Sequence, residues 1–249
     1  MSLIKNRTDM SETTQIAFKF SPHPYLGRED FMVSSCNFEA VQLIDNWPEW
    51  PFFAVCLYGP SGCGKTHLCR IFSDRVSVIK HYPYKIPCIQ AKNITLDTPP
   101  RLFAQNTCLI VENLDENINQ EALFHLYNLY RNEGGFILFT AHKAPARLKL
   151  SLPDLKSRLT IMPSVAIGEP DDEMLSALII KLFSDRQLLV APEIINYMIK
   201  NMQRSFTYCN QLVAEIDNIS IIRKRAVSLP IVKEAINNLN HLSQGDLFS

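Results

Sequence analysis

The chain is organised around a glycine-rich stretch, Gly59-Pro60-Ser61-Gly62-Cys63-Gly64-Lys65-Thr66. An apolar run over residues 52–58, predicted to be a strand, precedes it, and a predicted helix begins near Gly64. Strand, glycine-rich turn and helix are the context in which G-x-x-x-x-G-K-[ST] forms a phosphate-binding P-loop. The glycines let backbone N–H groups converge on an anion, and the helix directs its positive dipole end to the same point. The stretch therefore predicts a purine-nucleotide site.

Two side chains of this loop are expected to contact the nucleotide directly. Lys65 would reach the β- and γ-phosphates, and the Thr66 hydroxyl would ligate Mg²⁺, a hard ion that prefers oxygen. His67 follows at once and is included in the predicted site. The alternative is a glycine-rich turn with an accidental lysine, which the full spacing and the flanking segments disfavour. The expected ligands are ADP or ATP, with Mg²⁺.

Length and composition are those of a globular protein. The 249 residues suffice for one large domain, or for one domain plus a small one. A hydrophobic content of 47% and a charged content of 20% allow a substantial core. The formal net charge of zero disfavours a protein whose main task is to grip duplex DNA, because such proteins usually carry a basic excess.

The cysteines and the apolar runs predict a location. The seven cysteines, an odd number without metal-type CxxC spacing, are typical of reduced thiols. The first 20 residues lack the apolar core of a signal peptide. No apolar run approaches the roughly 18 residues that a membrane span needs. We therefore expect a cytoplasmic protein without membrane contact.

Strands and helices are predicted to alternate as far as residue 168. The patterns predict helices over 38–47 and 122–131 and strands over 86–90, 107–111 and 136–140. This alternation predicts an α/β fold with a doubly wound parallel sheet, in which ligands sit at the carboxyl ends of the strands. Gly59, Glu112 and Thr140 would all emerge at that edge.

Beyond Glu169 the strand signals disappear. Helical periodicity continues over 171–189, 192–202, 206–225 and 230–239, which predicts a separate α-helical subdomain of about 70 residues. The predicted organisation is an N-terminal segment over 1–20, a nucleotide-binding core over 21–168, a helical subdomain over 169–242 and a C-terminal tail over 243–249.

Five further residues are candidates for chemistry. Glu112 follows a buried strand, where P-loop proteins place the acid that holds the water shell of the metal; a solvated acid at a strand end is the alternative. Asn113 stands where many ATPases carry a second acid, and an amide cannot take a proton, so we expect slow or absent hydrolysis by this chain alone.

Thr140, or His142 after it, would contact the γ-phosphate or the attacking water, and a purely structural threonine is the alternative. Arg158 is either a solvated surface charge or an arginine that reaches the γ-phosphate of a neighbouring ATPase.

Together these residues resemble the AAA+ family, its initiator clade, and within it the Hda family of DnaA-related regulators in their alphaproteobacterial form. The resemblance runs from about Gln15 to Leu239. It rests on Leu26-Gly27-Arg28-Glu29-Asp30-Phe31, on residues 37–50, on GPSGCGKTHL over 59–68, on DLKSRL over 154–159, on Arg204-Ser205-Phe206 and on residues 229–236.

The resemblance implies an AAA+ P-loop ATPase core and a small α-helical lid with the nucleotide between them. It makes Arg158 the counterpart of the trans-acting arginine finger, and it places Phe31, Met32 and Val33 near the adenine. The sequence departs from the family at Glu112-Asn113, where the acids are usually aspartates. It also departs at Thr207, which aligns with the expected lid arginine and leaves Arg204 as the nearest candidate for the phosphates. The chain ends after the lid, so the DNA-binding domain of DnaA is expected to be absent.

Two terminal segments resemble peptides that dock on the bacterial sliding clamp. Gln244-Gly245-Asp246-Leu247-Phe248 matches Q-x-[DS]-L-F, in which Leu247 and Phe248 would fill an apolar pocket and Gln244 would bond at its rim. A weaker version near the N-terminus uses Gln15, Ile16, Phe18 and Phe20, and an edge segment with a buried face is its alternative. One or both of these segments are expected to bind the clamp.

The sequence therefore predicts a regulatory adaptor whose partners are the DnaA initiator and the DNA polymerase III sliding clamp, with DNA contacted only through the clamp. It would stimulate ATP hydrolysis by DnaA and prevent re-initiation of replication. A DnaA-like or helicase-loading ATPase is the alternative, and it would need hydrolysis of its own and a basic path for DNA. A small-molecule P-loop kinase would need an acceptor site. A homo-oligomer is left open.

Overall fold

The computed structural model describes Arg28, residues 31–82 and residues 85–245, with side chains described as far as His241. The clamp-motif residues Gln15, Ile16, Phe18, Phe20, Asp246, Leu247 and Phe248 lie outside the described residues. Gln244 is described only by its backbone, which is helical, and the tail over 243–249 stays a prediction.

A parallel sheet forms the centre of the core. Its strands are β1 (Ala54–Tyr58), β2 (Cys88–Gln90), β3 (Cys108–Leu114), β4 (Phe136–Ala141) and β5 (Ser164–Ala166), in the order β2-β3-β4-β1-β5. β1 pairs with β4 on one side and with β5 on the other, with all pairs parallel. This arrangement confirms the predicted α/β fold, and it places the end of β1, where the P-loop begins, inside the sheet rather than at its margin.

Helices cover both faces of the sheet. They are α1 (Phe38–Asp45), α2 (Lys65–Ile79), α3 (Thr98–Gln105), α4 (Gln120–Asn132) and α5 (Pro153–Ile161). Val55 and Leu57 of β1 belong to the apolar core that includes α1 and α2, whereas Ala54 and Cys56 belong to the core that includes α4 and α5. A strand that is buried on both faces needs apolar residues throughout, which is why the runs in β1 and β4 were recognisable in the sequence.

The lid is a bundle of helices with an apolar core of its own. The helices are α6 (Asp172–Asp185), α7 (Pro192–Asn201), α8 (Phe206–Arg223) and α9 (Leu229–Gly245). Asp171 caps α6 by accepting from the backbone N–H of Met174 at 2.8 Å, and Ser205 caps α8 by accepting from Tyr208 at 3.0 Å. The separate apolar core supports a lid domain, and its limits at 169 and 242 stay a prediction.

Several elements differ from the prediction. α1 ends at Asp45 rather than at Trp47, and α3 and β5 were not predicted. β5 is a three-residue edge strand that lacks an apolar run. β3 does not end at Val111 but continues to Leu114 through a bulge, in which Asn113 adopts a left-handed backbone with φ of 57°. A bulge depends on pairing with the neighbouring strand, so the residues of β3 alone do not reveal it. Among the described residues, no helix is long and apolar enough to cross a membrane.

Two tryptophans join α1 to the rest of the core. Trp47 is completely buried and lies edge-to-face against Phe72 and Phe136, at 5.8 and 6.0 Å between ring centroids. Trp50 stacks on Phe72 at 5.3 Å, and its indole N–H donates to the carbonyl oxygen of Leu43 at 2.7 Å. The buried indole N–H of Trp47 has no acceptor among the described residues. The two indoles therefore make similar apolar contacts and differ in hydrogen bonding.

This difference predicts unequal costs for the same substitution. Trp50→Phe should lower the free energy of unfolding by about 1 kcal/mol more than Trp47→Phe, because only Trp50→Phe breaks a hydrogen bond and leaves a carbonyl unsatisfied. Urea unfolding of both variants, with slopes compared to the wild type, measures the difference. An equal or greater cost for Trp47→Phe would contradict the assignment.

Candidate nucleotide-binding site

The P-loop connects the end of β1 to the start of α2. Gly62 and Gly64 have φ of 75° and 100°, a left-handed conformation that other residues adopt only with strain. At Gly59 the constraint is space, because an added Cβ would collide with the carbonyl oxygen of Ile167. The free N–H groups at the first turn of α2 face the loop, which is the geometry that binds phosphate.

Lys65 is the first residue of α2, and its side chain turns back into the loop. Its ammonium group donates to the carbonyl oxygens of Gly59 and Pro60, at 2.7 Å each, and lies 3.6 Å from the sulfur of Cys63. The residue is only 8% exposed. A partly desolvated cation attracts an anion more strongly than a solvated one, so the loop holds its positive charge where phosphates would bind.

Cys63 lies inside the loop without being a reactive thiol. Burial raises the pKa of its thiol, and the neighbouring Lys65 opposes that shift only in part. The sulfur therefore stays protonated at neutral pH and serves as a small packing group between Gly59 and Lys65.

The lid contacts the P-loop through the start of α8. The backbone N–H of Phe206 donates to the carbonyl oxygen of Gly62 at 3.0 Å. A Cβ added at Gly62 would lie 2.8 Å from the Cβ of Ser205, so the two segments are in close contact. Ser205 and Phe206 were not predicted as site residues, although they adjoin Arg204 in the segment that resembles the family. The loop thus lies between the core and the lid, as the resemblance implies.

Aromatic rings surround the start of α2. The buried ring of Phe31 lies edge-to-face on His67 at 4.9 Å. Carbons of Phe31 and Phe206 lie 3.6 and 3.8 Å from the position of a Cβ on Gly64. Met32 is half-buried and Val33 is exposed, so of the three residues expected near the adenine Phe31 is the one packed at the P-loop. The rings offer an apolar wall to a base.

Arg204 does not contact the loop in this structure. Its guanidinium pairs with Asp172 at 2.6 Å, on the exposed side of the lid. Such a solvated pair contributes little stability and is readily exchanged for another anion. Thr207 lies closer to the loop, with its Cβ 3.3 Å from the position of a Cβ on Gly62. A phosphate contact by Arg204 therefore stays a prediction and requires its pair with Asp172 to open.

A hydrogen-bonded chain connects the acidic end of β3 to its neighbours. The side-chain amide of Gln90 donates to a carboxylate oxygen of Glu112 at 3.0 Å and accepts from the amide of Asn113 at 2.7 Å. The backbone N–H of Asn113 donates to the hydroxyl oxygen of Thr140 at 3.1 Å. Thr140 is buried and accepts this bond, and its contact with a γ-phosphate or the attacking water stays a prediction. Gln90 was missed, because an amide in a short strand gives no signal in the sequence.

Glu112 lies on the face of the sheet that α2 covers. Burial first, and then the charge of Glu112, raise the pKa of Cys88 to about 11; the same two causes, in the same order, raise the pKa of Cys69 of α2. Together with the Thr66 hydroxyl at the start of α2, this carboxylate provides hard oxygen donors. Mg²⁺ is usually bound by one or two such groups plus phosphate oxygens and water, so the donor set fits the ion.

The carboxylates closest to Asn113 in sequence all accept hydrogen bonds, and Glu112 accepts one from Gln90. Asp115 accepts from the backbone N–H of Asn117 at 2.7 Å. Glu116 accepts from the ammonium group of Lys143 at 2.6 Å, and this bond lowers its pKa. A lowered pKa makes Glu116 a weaker base, and slow hydrolysis by this chain stays a prediction.

Arg158 lies on α5, and its guanidinium packs against α4. The guanidinium carbon is 4.7 Å from the ring centroid of Phe124 and 5.9 Å from that of Tyr127. The side chain is half-buried, yet within the part of the chain that the structure describes it has neither a carboxylate partner nor a hydrogen bond. Other arginines do form ion pairs, namely Arg28, Arg186, Arg204 and Arg223. The charge of Arg158 is therefore held in place without being neutralised.

Comparisons with known proteins agree with this architecture. Residues 171–236 match the family model described as "Hda, lid domain". An uncharacterized protein of Haemophilus influenzae is 26% identical over 75% of this chain and 82% of its own length. The replication initiator DnaA of Borrelia duttonii is 25% identical over 94% of this chain, and that of Buchnera aphidicola is 22% identical over 74%. The chain spans about half the length of these DnaA relatives.

Solved structures show the same fold. Domain III of Thermotoga maritima DnaA matches with a TM-score of 0.72 at 17% identity, over 86% of this chain and 97% of that one. A DnaA bound to AMPPCP and single-stranded DNA matches with a TM-score of 0.64 at 20% identity, over 81% and 68%. The Holliday junction branch migration motor RuvB of Thermotoga maritima matches at 0.61 and 15%, over 76% and 62%. The chain is thus similar to DnaA in sequence, shares the fold of these structures and carries a segment that matches an Hda lid, and the alphaproteobacterial detail stays a prediction.

The contact between Glu112 and Cys88 predicts a pH-dependent reactivity. Glu112→Gln keeps a hydrogen-bond acceptor for Gln90 but removes the negative charge that disfavours the thiolate. The pKa of Cys88, about 11, should therefore fall, and alkylation of Cys88 at pH 8 should become severalfold faster. Mass spectrometry of the Cys88 peptide after timed alkylation measures the rate. Glu133→Gln, which removes an exposed acid that does not influence this thiol, is the control, and an equal rate in Glu112→Gln would refute the placement of the carboxylate.

Proposed function

We propose that this chain is a cytoplasmic regulatory adaptor that stimulates ATP hydrolysis by the initiator DnaA while docked on the sliding clamp. It would hold an adenine nucleotide in its own P-loop and donate Arg158 to the nucleotide of DnaA. Hydrolysis of that ATP would prevent re-initiation of replication.

The observation that carries this proposal is the state of Arg158. Its guanidinium is half-buried against two aromatic rings and has no anionic partner in the described part of the chain. Arginine presents a planar fork of N–H donors that matches phosphate oxygens. An arginine with its donors unused is suited to an anion on another molecule, and charge supplied in trans stabilises the phosphoryl group during transfer. The similarity to DnaA makes a nucleotide-bearing AAA+ protein the expected partner.

The chain's own nucleotide is proposed to have a structural role. Lys65 and the first turn of α2 would bind the phosphates, and Phe31 and Phe206 would flank the base. The Thr66 hydroxyl and Glu112 would hold Mg²⁺, which would neutralise phosphate charge. Because the P-loop contacts both the core and the start of α8, a nucleotide there would stabilise one arrangement of the lid. The DnaA structure bound to AMPPCP supports an adenine nucleotide, ADP or ATP.

The residues around Asn113 support a partner, rather than this chain, as the site of hydrolysis. Asn113 cannot accept a proton, and the two acids that follow are held by Asn117 and Lys143. A DnaA-like or helicase-loading ATPase would need a base in this place. No observation favours that second function over the adaptor.

Clamp binding rests on the sequence of the two terminal segments. α9 includes Gln244 and Gly245, so docking of 244–248 as an extended peptide would require the last turn of this helix to unwind. Helix ends open at low cost, since their last carbonyls lack intrahelical partners. Docking would raise the local concentration of the adaptor near DnaA on clamp-loaded DNA.

The proposed roles of Arg158 and of the clamp motifs predict that stimulation of DnaA depends on adaptor concentration in different ways. Arg158→Ala should bind clamp and DnaA but fail to stimulate hydrolysis at any concentration, with a loss on the order of a thousandfold, because the finger stabilises only developing charge. Removing residues 244–249 and changing Gln15 and Phe18 to Ala should weaken stimulation only at low concentration. The measurement is ATP hydrolysis by DnaA on clamp-loaded DNA, with each variant titrated.

Arg101→Ala, which removes an exposed arginine from α3, is the matched control and should behave as wild type. Rescue of Arg158→Ala by excess protein, without rescue of the clamp variant, would reverse the two roles. Wild-type behaviour of both variants would overturn the adaptor proposal.

A further inference from the structure

We infer that Phe124 is a positioning residue for Arg158, which it fixes through the face of its ring, while no described residue takes up the N–H donors of the guanidinium. The inference rests on the proposed function, because it assumes that Arg158 acts on an anion of a partner. It adds a residue on α4 whose sequence context, QEALFHLYNLY, suggests only an amphipathic helix.

The geometry identifies Phe124 as the main contact. Its ring centroid is 4.7 Å from the guanidinium carbon, well inside the range of a cation–π interaction, whereas Tyr127 is at its outer limit at 5.9 Å. The two residues are three apart on α4 and therefore share a face. Arg158 sits above this face from α5, and the two rings form a platform beneath its charge.

The platform is itself anchored in the core. Tyr127 is 5% exposed and lies edge-to-face against Phe53 at 4.8 Å. Phe124 is half-buried and packs against the apolar core that includes Leu155 and Leu159 of α5. Because core packing fixes these rings, they restrict the motion of the Arg158 side chain, and Arg158 does not determine their position.

An aromatic ring and a carboxylate contact different parts of the guanidinium group. A carboxylate would fix the guanidinium through its edge, where the N–H donors are, and would neutralise its charge. A ring contacts the planar face and leaves the donors in the plane for phosphate oxygens. It also restricts a long, flexible side chain before binding, so less freedom is lost when the phosphate is engaged. Phe124 thus restricts the motion of the Arg158 side chain without using its N–H donors.

The test compares substitutions that differ in the ring. Phe124→Leu keeps an apolar side chain but removes the ring, and it should lower the maximal stimulated rate of DnaA hydrolysis by about tenfold. The concentration for half-maximal stimulation should stay unchanged, because the contact surface remains. Phe124→Trp and Phe124→Tyr should restore most of the rate.

Phe103→Leu is the matched control for packing. Phe103 is also half-buried, packs on the same core and lies edge-to-face on Tyr130 at 5.1 Å, away from Arg158. Phe103→Leu should lower the melting temperature about as much as Phe124→Leu while leaving the maximal rate intact. A readout independent of DnaA is the NMR signal of the Arg158 side-chain Nε–H. A nearby ring shifts it, and it should move toward the value of a free arginine in Phe124→Leu only.

The outcomes separate this inference from the proposed function. If Arg158→Ala abolishes stimulation while Phe124→Leu keeps the wild-type maximal rate, the positioning role is overturned and the function stands. A higher half-maximal concentration at an unchanged maximal rate would make Phe124 a contact residue instead, and a faster Phe124→Leu would show that the ring holds Arg158 back. If Arg158→Ala itself stimulates normally, the proposed function fails first.

Discussion

The buried ammonium group of Lys65 is the constraint on which the site depends. A cation removed from water must be hydrogen-bonded, and here two carbonyl oxygens of the P-loop itself accept from it at 2.7 Å. This requires the loop to close tightly over the start of α2, with left-handed backbone at Gly62 and Gly64. The same closure turns the carbonyl oxygen of Gly62 toward the N–H of Phe206. The hydrogen bonds of Lys65 thereby hold the loop between β1 and α2, and the bond from Phe206 joins this loop to the lid.

Arg204 and Arg158 are held in different ways, and this difference carries the functional argument. Arg204 is paired with Asp172 at the lid surface, so its charge is neutralised while that pair lasts. Arg158 lies over aromatic faces and keeps its charge and its donors. Asn113 cannot take a proton and the acids beside it accept hydrogen bonds, so we propose that the charge of Arg158 serves chemistry on another molecule.

Features encoded by neighbouring residues were predictable, and features that depend on distant ones were not. The P-loop follows from its spacing, and β1 and β4 follow from apolar runs that suit burial on both faces. β5 was missed because an edge strand needs no such run. The bulge in β3 was missed because Thr140 and Gln90, from two other strands, stabilise it. The platform under Arg158 was missed for the same reason, since its rings belong to another helix.

The central claim is that this chain retains a nucleotide without turning it over, and one measurement tests it directly. Purified protein is incubated with radiolabelled ATP, and retained nucleotide and released phosphate are both quantified for wild type and Lys65→Ala. The account predicts about one adenine nucleotide retained per wild-type chain, almost none in Lys65→Ala, and negligible phosphate release by either. Equal retention by Lys65→Ala, or turnover by the isolated chain at the rate of an ordinary AAA+ motor, would contradict it.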